Sequence, residues 1–190
     1  MKKGQFYVIS ALVLILFMFY AHYNSRFEIP KNIDYGREFF SSLKTEVLRS
    51  ASFAYYQGPY SSSVESNVSS FLDFARNVSA SQGQRAEVLV VVFVPAYSTY
   101  NVSVINYMTS SVDVNITISG SEQNITSLAD KGSARFIFNG VAQNSTVNVT
   151  YMRNSVKSSD AFNLTSRKLN AYADVNLVSS AVTWSDRVVA

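Results

Sequence analysis

The chain has 190 residues, of which 16 are basic and 13 acidic, with a formal net charge of +3 and no cysteine. This length allows one ordinary domain with an extension and excludes two large domains. The basic residues are scattered and form no run, so the charge pattern gives no support for nucleic-acid binding. Without disulfides, an extracellular chain of this size depends on an adequate core or on assembly for its stability.

The N-terminus carries a long apolar stretch. The 19 residues from Gln5 to Tyr23 follow Lys2 and Lys3, and no Asp, Glu, Lys or Arg occurs between Lys3 and Arg26. As a helix rising ~1.5 Å per residue, this stretch spans roughly 28 Å, the thickness of a bilayer core. The two lysines favour the cytoplasmic side, which directs the rest of the chain outward. Bulky residues stand where a secretory cleavage site needs small ones, so we expect the stretch to be retained.

The first residues, Lys2-Lys3-Gly4-Gln5 before an unbroken apolar stretch, resemble the class III signal peptide of archaeal type IV pilin-like proteins. The resemblance covers roughly the first 25 residues and the layout of a helix followed by a β-domain. It implies that a prepilin-type peptidase cuts between Gly4 and Gln5. It also implies that the freed helix packs with its copies in a filament core. The assembly residues assigned on this basis are Val8, Leu12, Ile15 and Phe19.

The resemblance implies a set of partners and leaves alternatives open. The partners are further copies of the chain in a helical polymer, the peptidase and type IV assembly machinery, and the cytoplasmic membrane before assembly. One departure is Ile9, which stands where bacterial type IV pilins usually carry Glu. The same apolar stretch also suits an uncleaved signal anchor. A monomeric membrane-anchored adhesin or binding protein, and a minor pilin, are therefore the alternative functions.

The chain divides into a leader at 1–4, a hydrophobic helix and joint at 5–33, amphipathic helices at 34–80 and an extracellular β-domain at 86–190. Pro30 disfavours helical geometry and marks the joint. Apolar residues at three- or four-residue spacing predict one helix over 34–56 and a second from about 63 to 79. These two helices can form a hairpin or pack on the β-domain. Ser62 and Glu65 have the spacing of a capping box at the second helix.

From Ala86 the apolar period changes from that of helices to that of strands. The run Glu87–Val94 is almost continuously apolar and predicts a strand buried on both faces. Strict alternation over Val112–Ile118 predicts a half-buried strand, and Asn139-Gly140 is a tight-turn signal. Seven short strands are predicted in total. The predicted fold class is α+β, with a long N-terminal hydrophobic helix and amphipathic helices followed by an all-β head that resembles a sandwich or a barrel.

The most frequent motif is Asn-x-Ser/Thr, the acceptor motif for N-glycosylation. It begins at eight positions: Asn67, Asn77, Asn101, Asn115, Asn124, Asn144, Asn148 and Asn163. An Asn- and Ser-rich chain also generates such triplets by chance. The expected polar faces of the strands and helices favour Asn77, Asn115 and Asn148 over Asn67.

The sequence offers few of the residue types on which catalysis usually depends. His22 is the only histidine, so the outer region has neither the residues of a Ser-His-Asp or Cys-His arrangement nor the usual zinc ligands. Four aspartates can in principle meet around calcium, but solvated surface positions are the expectation for them. They are Asp113, Asp130, Asp160 and Asp174. The sequence predicts no enzyme, no cofactor and no metal, and its overall prediction is a pilin of an archaeal type IV pilus-like filament with a glycosylated outer β-domain on the cell surface.

Overall fold

Two helices and nine strands make up the part of the chain that the structure, a computed structural model, describes: residues 35–58, 61–142, 144–165 and 168–190. The helices are α1 (Tyr35–Gln57) and α2 (Ser61–Ser81). The strands are β1 (Arg85–Ala96), β2 (Thr99–Tyr107), β3 (Val112–Ile118), β4 (Ser121–Leu128), β5 (Ser133–Asn139), β6 (Thr146–Arg153), β7 (Val156–Asn163), β8 (Asn170–Val178) and β9 (Thr183–Val189).

The strands form two antiparallel sheets. The first has five strands in the order β5-β2-β1-β8-β9, and the second has four in the order β4-β3-β6-β7. The helices pack on one face of the five-stranded sheet, and the four-stranded sheet packs on the other. Residues Gly36–Ala190 therefore form one compact unit with three layers: helices, sheet and sheet.

Strand β1 lies between two separate hydrophobic cores. Its alternate residues Val88, Val90 and Val92 belong to the core beneath the helices. Leu89 and Phe93 point the opposite way and belong to the core between the sheets. This double burial explains why β1 is apolar almost throughout, whereas β3 and β6 alternate because one of their faces is open.

The helices dock through the spacing that the sequence displays. In α1 the buried residues recur every three or four positions from Phe40 to Ala54. Helix α2 ends in a Schellman motif, in which Gly83 has a φ of 68° and the Gln84 amide donates to the Ser79 carbonyl at 2.9 Å. The predicted capping box is wrong: the Glu65 carboxylate pairs with Arg135 on β5 at 2.5 Å.

The predicted fold class is wrong. The structure is a mostly β, two-sheet fold, and its two helices form a layer on the five-stranded sheet. The sheets are distinct, which excludes the barrel form of the prediction. The helices of 23 and 21 residues are amphipathic, and no long apolar helix occurs among the described residues. The hydrophobic helix predicted at 5–33 lies outside them.

Two strands were missed by sequence reasoning, and both are edges of the four-stranded sheet. Strands β4 and β7 are mostly polar, because only one face of an edge strand meets a core and that face is itself partly open. The tight-turn signal Asn139-Gly140 does not join two paired strands. The chain leaves β5 there and crosses to β6 in the other sheet. Gly140, with a φ of 67°, instead donates its amide to the Ser98 carbonyl.

Neither α1 nor α2, the helices of the described residues, is apolar over a length sufficient to span a bilayer.

Replacing Leu72 with alanine should lower the free energy of unfolding by about 2–5 kcal/mol, because this side chain fills the core beneath α2. Leu72 is 2% exposed, whereas Phe74 on the same helix is 62% exposed. Phe74→Ala is therefore the matched control, with an expected change within about 0.5 kcal/mol. Thermal unfolding of the detergent-solubilised chain, followed by circular dichroism, measures both variants. Equal losses would contradict the docking of α2.

Candidate functional site

The outer face of the four-stranded sheet is polar and carries several of the acceptor motifs. Along β3, Val114 and Ile116 point into the core between the sheets, while Asn115 and Thr117 point outward. Strand β6 alternates in the same way, which places Asn148 on the outer face. Because side chains alternate between the two faces of a strand, the Asn and the Thr of an Asn-x-Thr motif lie on the same face, which is here the outer face.

The strand register arranges these polar residues in rows across the sheet. One row runs through Asn124, Asn115, Thr150 and Ser159, and the next runs through Glu122, Thr117, Asn148 and Ala161. Hydrogen bonds join neighbours within the rows, as between the Thr150 and Ser159 hydroxyls at 2.8 Å. The Asn115 amide donates to both Glu122 and Asn124. The face is thus a grid of amides, hydroxyls and a few charges.

The eight acceptor asparagines differ in exposure. The side chains of six are exposed: Asn67, Asn77, Asn124, Asn144, Asn148 and Asn163. Asn101 and Asn115 are half-buried. Four of the eight, Asn115, Asn124, Asn148 and Asn163, belong to strands of the four-stranded sheet, and Asn144 lies in the turn before β6.

An open depression of about 480 Å³ lies where β3, β4, β6 and β7 meet on this face. A register shift between Val112 and Val114 interrupts the pairing of β3 with β4 beside it. Its lining includes the Asp113 carboxylate, the Lys157 ammonium group and the Met152 thioether. Asp113 already accepts a hydrogen bond from the Ser127 amide at 2.7 Å, so it serves the turn of the bulged strand.

A second polar cluster is buried between the sheets. Glu87 on β1 is 2% exposed and pairs with Arg153 on β6, whose two terminal nitrogens lie 2.5 and 3.0 Å from its carboxylate oxygens. Arg85 and the Thr109 hydroxyl also reach Glu87, at 2.9 and 2.6 Å. Burial raises the pKa of Glu87, but the hydrogen bonds from Arg153 and Thr109 lower that pKa by more, so it lies below its usual value.

Asp174 on β8 holds a neighbouring group of polar side chains. It accepts hydrogen bonds from the Tyr151 hydroxyl at 2.7 Å, the Arg187 guanidinium at 3.1 Å and the Asn176 amide at 2.9 Å. Burial, assisted by the bond to Asp174, raises the pKa of Tyr151 to about 12. Burial likewise raises the pKa of Tyr172. Both hydroxyls therefore stay protonated at physiological pH and act as donors.

The four aspartates considered for calcium do not meet at one site in the structure. Asp113 serves the β4 bulge, and Asp130 pairs with Arg76 on α2, which holds the pKa of Asp130 below its usual value. Asp160 and Asp174 share Arg187. Among the described residues, no three His, Cys, Asp or Glu side chains group in a way that could hold a metal ion.

The N-terminal site predictions fall outside the described residues. These are the leader cleavage site at Gly4 and Gln5, and the assembly residues Val8, Leu12, Ile15 and Phe19. The structure therefore places none of them.

No protein-family model, curated protein or solved structure matches this chain.

Sequence reasoning missed the buried charges. A signal was present, because Glu87 opens an apolar strand and Asp174 interrupts the apolar run of β8. Both positions have the parity of the residues that face the second sheet, such as Leu89 and Tyr172. A charge at an inward position implies a buried partner. The sequence does not show that the partner of Glu87 is Arg153 on β6 of the other sheet, or that Arg187 on β9 lies directly opposite Asp174.

The substitution Arg153→Met should lower the free energy of unfolding at pH 7 by about 1–3 kcal/mol, because Glu87 stays buried with fewer donors. Since the folded-state pKa of Glu87 is depressed, its contribution exists above its unfolded pKa and disappears as pH falls through the folded value. The variant should therefore lose less stability than the parent on acidification.

The double variant Glu87→Gln/Arg153→Met is the control, because it removes the charge together with its partner and should recover part of the loss. Thermal unfolding at pH 7 and pH 3 measures all three proteins. A single variant as stable as the parent at pH 7 would contradict the role assigned to the pair.

Proposed function

We propose that this protein is a structural subunit of an extracellular filament of the type IV pilus class. The observation that carries the proposal is the N-terminal sequence, in which Lys2-Lys3-Gly4-Gln5 directly precedes an uncharged apolar stretch ending near Tyr23. The apolar stretch first holds the precursor in the membrane with Lys2 and Lys3 inside. Cleavage after Gly4 then releases the subunit for assembly.

Polymerisation follows from the loss of lipid contacts. When the assembly machinery extracts a subunit, its apolar stretch must find replacement contacts, and equivalent stretches of neighbouring copies supply them. A head-to-tail interface that does not close on itself propagates as a filament. Val8, Leu12, Ile15 and Phe19 are the residues assigned to this interface.

The folded domain supports this proposal through its closed hydrophobic cores. Its apolar side chains fill one core beneath the helices and another between the sheets. The domain therefore has the internal burial needed to fold before assembly, and the apolar N-terminal stretch is left as the part that needs partners. In the filament, the domain forms the outer layer, and several of its acceptor motifs carry glycans on the exposed surface.

A monomeric membrane-anchored adhesin uses the same sequence features with the leader intact. A minor pilin uses the cleaved form at low copy number in filaments that another subunit builds. The state of the N-terminus distinguishes the anchor from both pilins, and the abundance of the chain in purified filaments distinguishes the two pilins.

Protein taken from the native cell surface should yield an N-terminal peptide that begins at Gln5. Peptide mass spectrometry with a protease that leaves this end intact provides the measurement. A population in which every N-terminal peptide retains Lys2-Lys3-Gly4 would favour the membrane-anchored adhesin over the filament.

Replacing Leu12 with aspartate should abolish filaments, because a carboxylate cannot be accommodated in a dry interface between apolar stretches. Leu12→Ile keeps the apolar volume and is the matched control, which should assemble. Electron microscopy of sheared cell-surface material measures assembly, and circular dichroism checks that the β-domain of both variants is folded. Normal filaments from Leu12→Asp would refute the assembly assignment.

A further inference from the structure

We propose that N-glycans are attached at one corner of the folded domain, at Asn144, Asn148 and Asn163, and that the other five acceptor motifs stay unmodified. The inference rests on the export to the cell surface that the proposed function includes, but it does not depend on filament formation. It follows from whether the fold leaves both halves of each motif accessible.

The transfer reaction defines what must be accessible. The Asn Nδ2 forms a bond to the anomeric carbon of a lipid-phosphate-linked oligosaccharide, while the bond from that carbon to the phosphate oxygen breaks. The phosphate leaves with the electron pair, and the amide proton passes to a base of the transferase. Because the motif also requires a Ser or Thr hydroxyl two residues later, the transferase must reach the amide and the hydroxyl together.

Asn148 meets both requirements. Its side chain is exposed, and across the strand it faces Ala161, the smallest neighbour in its row. Within the described residues, its amide donates no hydrogen bond. Thr150 is half-buried on the same open face of β6, and its hydroxyl bonds to the exposed Ser159 at 2.8 Å.

Asn163 and Asn144 lie beside Asn148. Thr146 bonds to the first of them and is the hydroxyl residue of the motif of the second. Asn163 on β7 is exposed, and its Oδ1 accepts the Thr146 hydroxyl at 3.0 Å, so the Nδ2 remains available. Its own motif ends in Thr165, which is also exposed. Asn144 is exposed in the turn before β6, with a φ of 61°, and its motif ends in the exposed Thr146.

On α2, helix geometry separates the asparagine of each motif from its hydroxyl residue. Residues two apart on a helix are separated by about 200° around its axis, so a packed helix exposes them unequally. Asn77 is exposed, but Ser79 is fully buried, donating to the Arg76 carbonyl at 2.9 Å and accepting from the Ala86 amide at 3.1 Å. Asn67 has its amide bonded to the Ser63 carbonyl at 3.1 Å.

The other three motifs are on strands but are obstructed. Asn101 is half-buried on β2, and its partner Ser103 is fully buried. Asn115 and Asn124 face each other directly across β3 and β4. The Asn115 amide donates to Asn124 and Glu122, and the Asn124 amide also donates to Glu122. The Nδ2 atoms of both asparagines are therefore occupied as donors in one cluster with Glu122.

Glycans at the proposed corner would protect an exposed sheet edge. Strand β7 is an edge of the four-stranded sheet and presents unpaired backbone groups. Asn163 lies on β7, and Asn148 lies on the adjoining strand β6. Sugars at these positions would hinder strand pairing between copies there, while the helix layer on the opposite side of the domain stays free of sugars.

Glycopeptide mass spectrometry of the native surface protein tests the proposal. We expect glycan on most copies at Asn144, Asn148 and Asn163, and unmodified peptides at the other five acceptors. Occupancy at Asn77 or Asn101 equal to that at Asn148 would overturn the assignment, and so would an intact mass equal to the bare polypeptide. Neither result bears on cleavage before Gln5, so the filament proposal is tested separately.

Three substitutions sharpen this test. Asn148→Gln should remove the mass of one glycan, while Asn77→Gln, the matched control, should remove none. Thr150→Ser keeps an accessible hydroxyl but makes the motif the Ser type found at Asn77 and Asn101. Occupancy of Asn148 should remain well above that of Asn77 in this variant. A fall to the level of Asn77 would show that the type of hydroxyl residue, and not the fold, selects the sites, and would overturn the proposal.

Discussion

The burial of β1 on both faces is the constraint on which the rest of the structure depends. A strand that is apolar on both sides needs a layer on each, and the chain supplies the helices on one side and the four-stranded sheet on the other. β2 and β8 pair with β1 along nearly its full length and extend both cores sideways. The amphipathic stripe of each helix is therefore matched to the apolar face of the sheet, and both helices lie against it.

The region between the two sheets also holds charged residues. Glu87 and Asp174 are placed on the inward side of central strands, where an unpaired carboxylate would be costly. Arg153 comes from the opposite sheet, 66 residues from Glu87 along the chain, whereas Arg187 lies on β9 directly opposite Asp174 on β8. Such pairs contribute little net stability against apolar replacements, but misplacing either partner leaves a buried charge. The pair of Glu87 and Arg153, which joins the two sheets, consequently favours one registration of the sheets over others.

Sequence reasoning reached the elements whose patterns are strong and local. The stripe from Phe40 to Ala54 and the run through β1 both carry their period within one segment. The edge strands β4 and β7 were not predicted, because their inner side meets little core and their sequences show no clear apolar alternation. Glu65 has the spacing of a capping box with Ser62, but its carboxylate pairs instead with Arg135 on β5. Contacts between segments decide such cases, and a single sequence does not display them.

The acceptor motifs show the same division between local pattern and tertiary context. In a strand, the Asn and the hydroxyl residue of the triplet share one face, and the residue between them points to the other, so an apolar middle residue anchors the motif in a core. This geometry exposes both polar groups only when the strand has one open face. Strand β6 meets that condition, whereas β2 is covered on both sides and buries Ser103. The triplet alone is therefore a poor guide, and the layer in which its strand lies determines whether the motif is accessible.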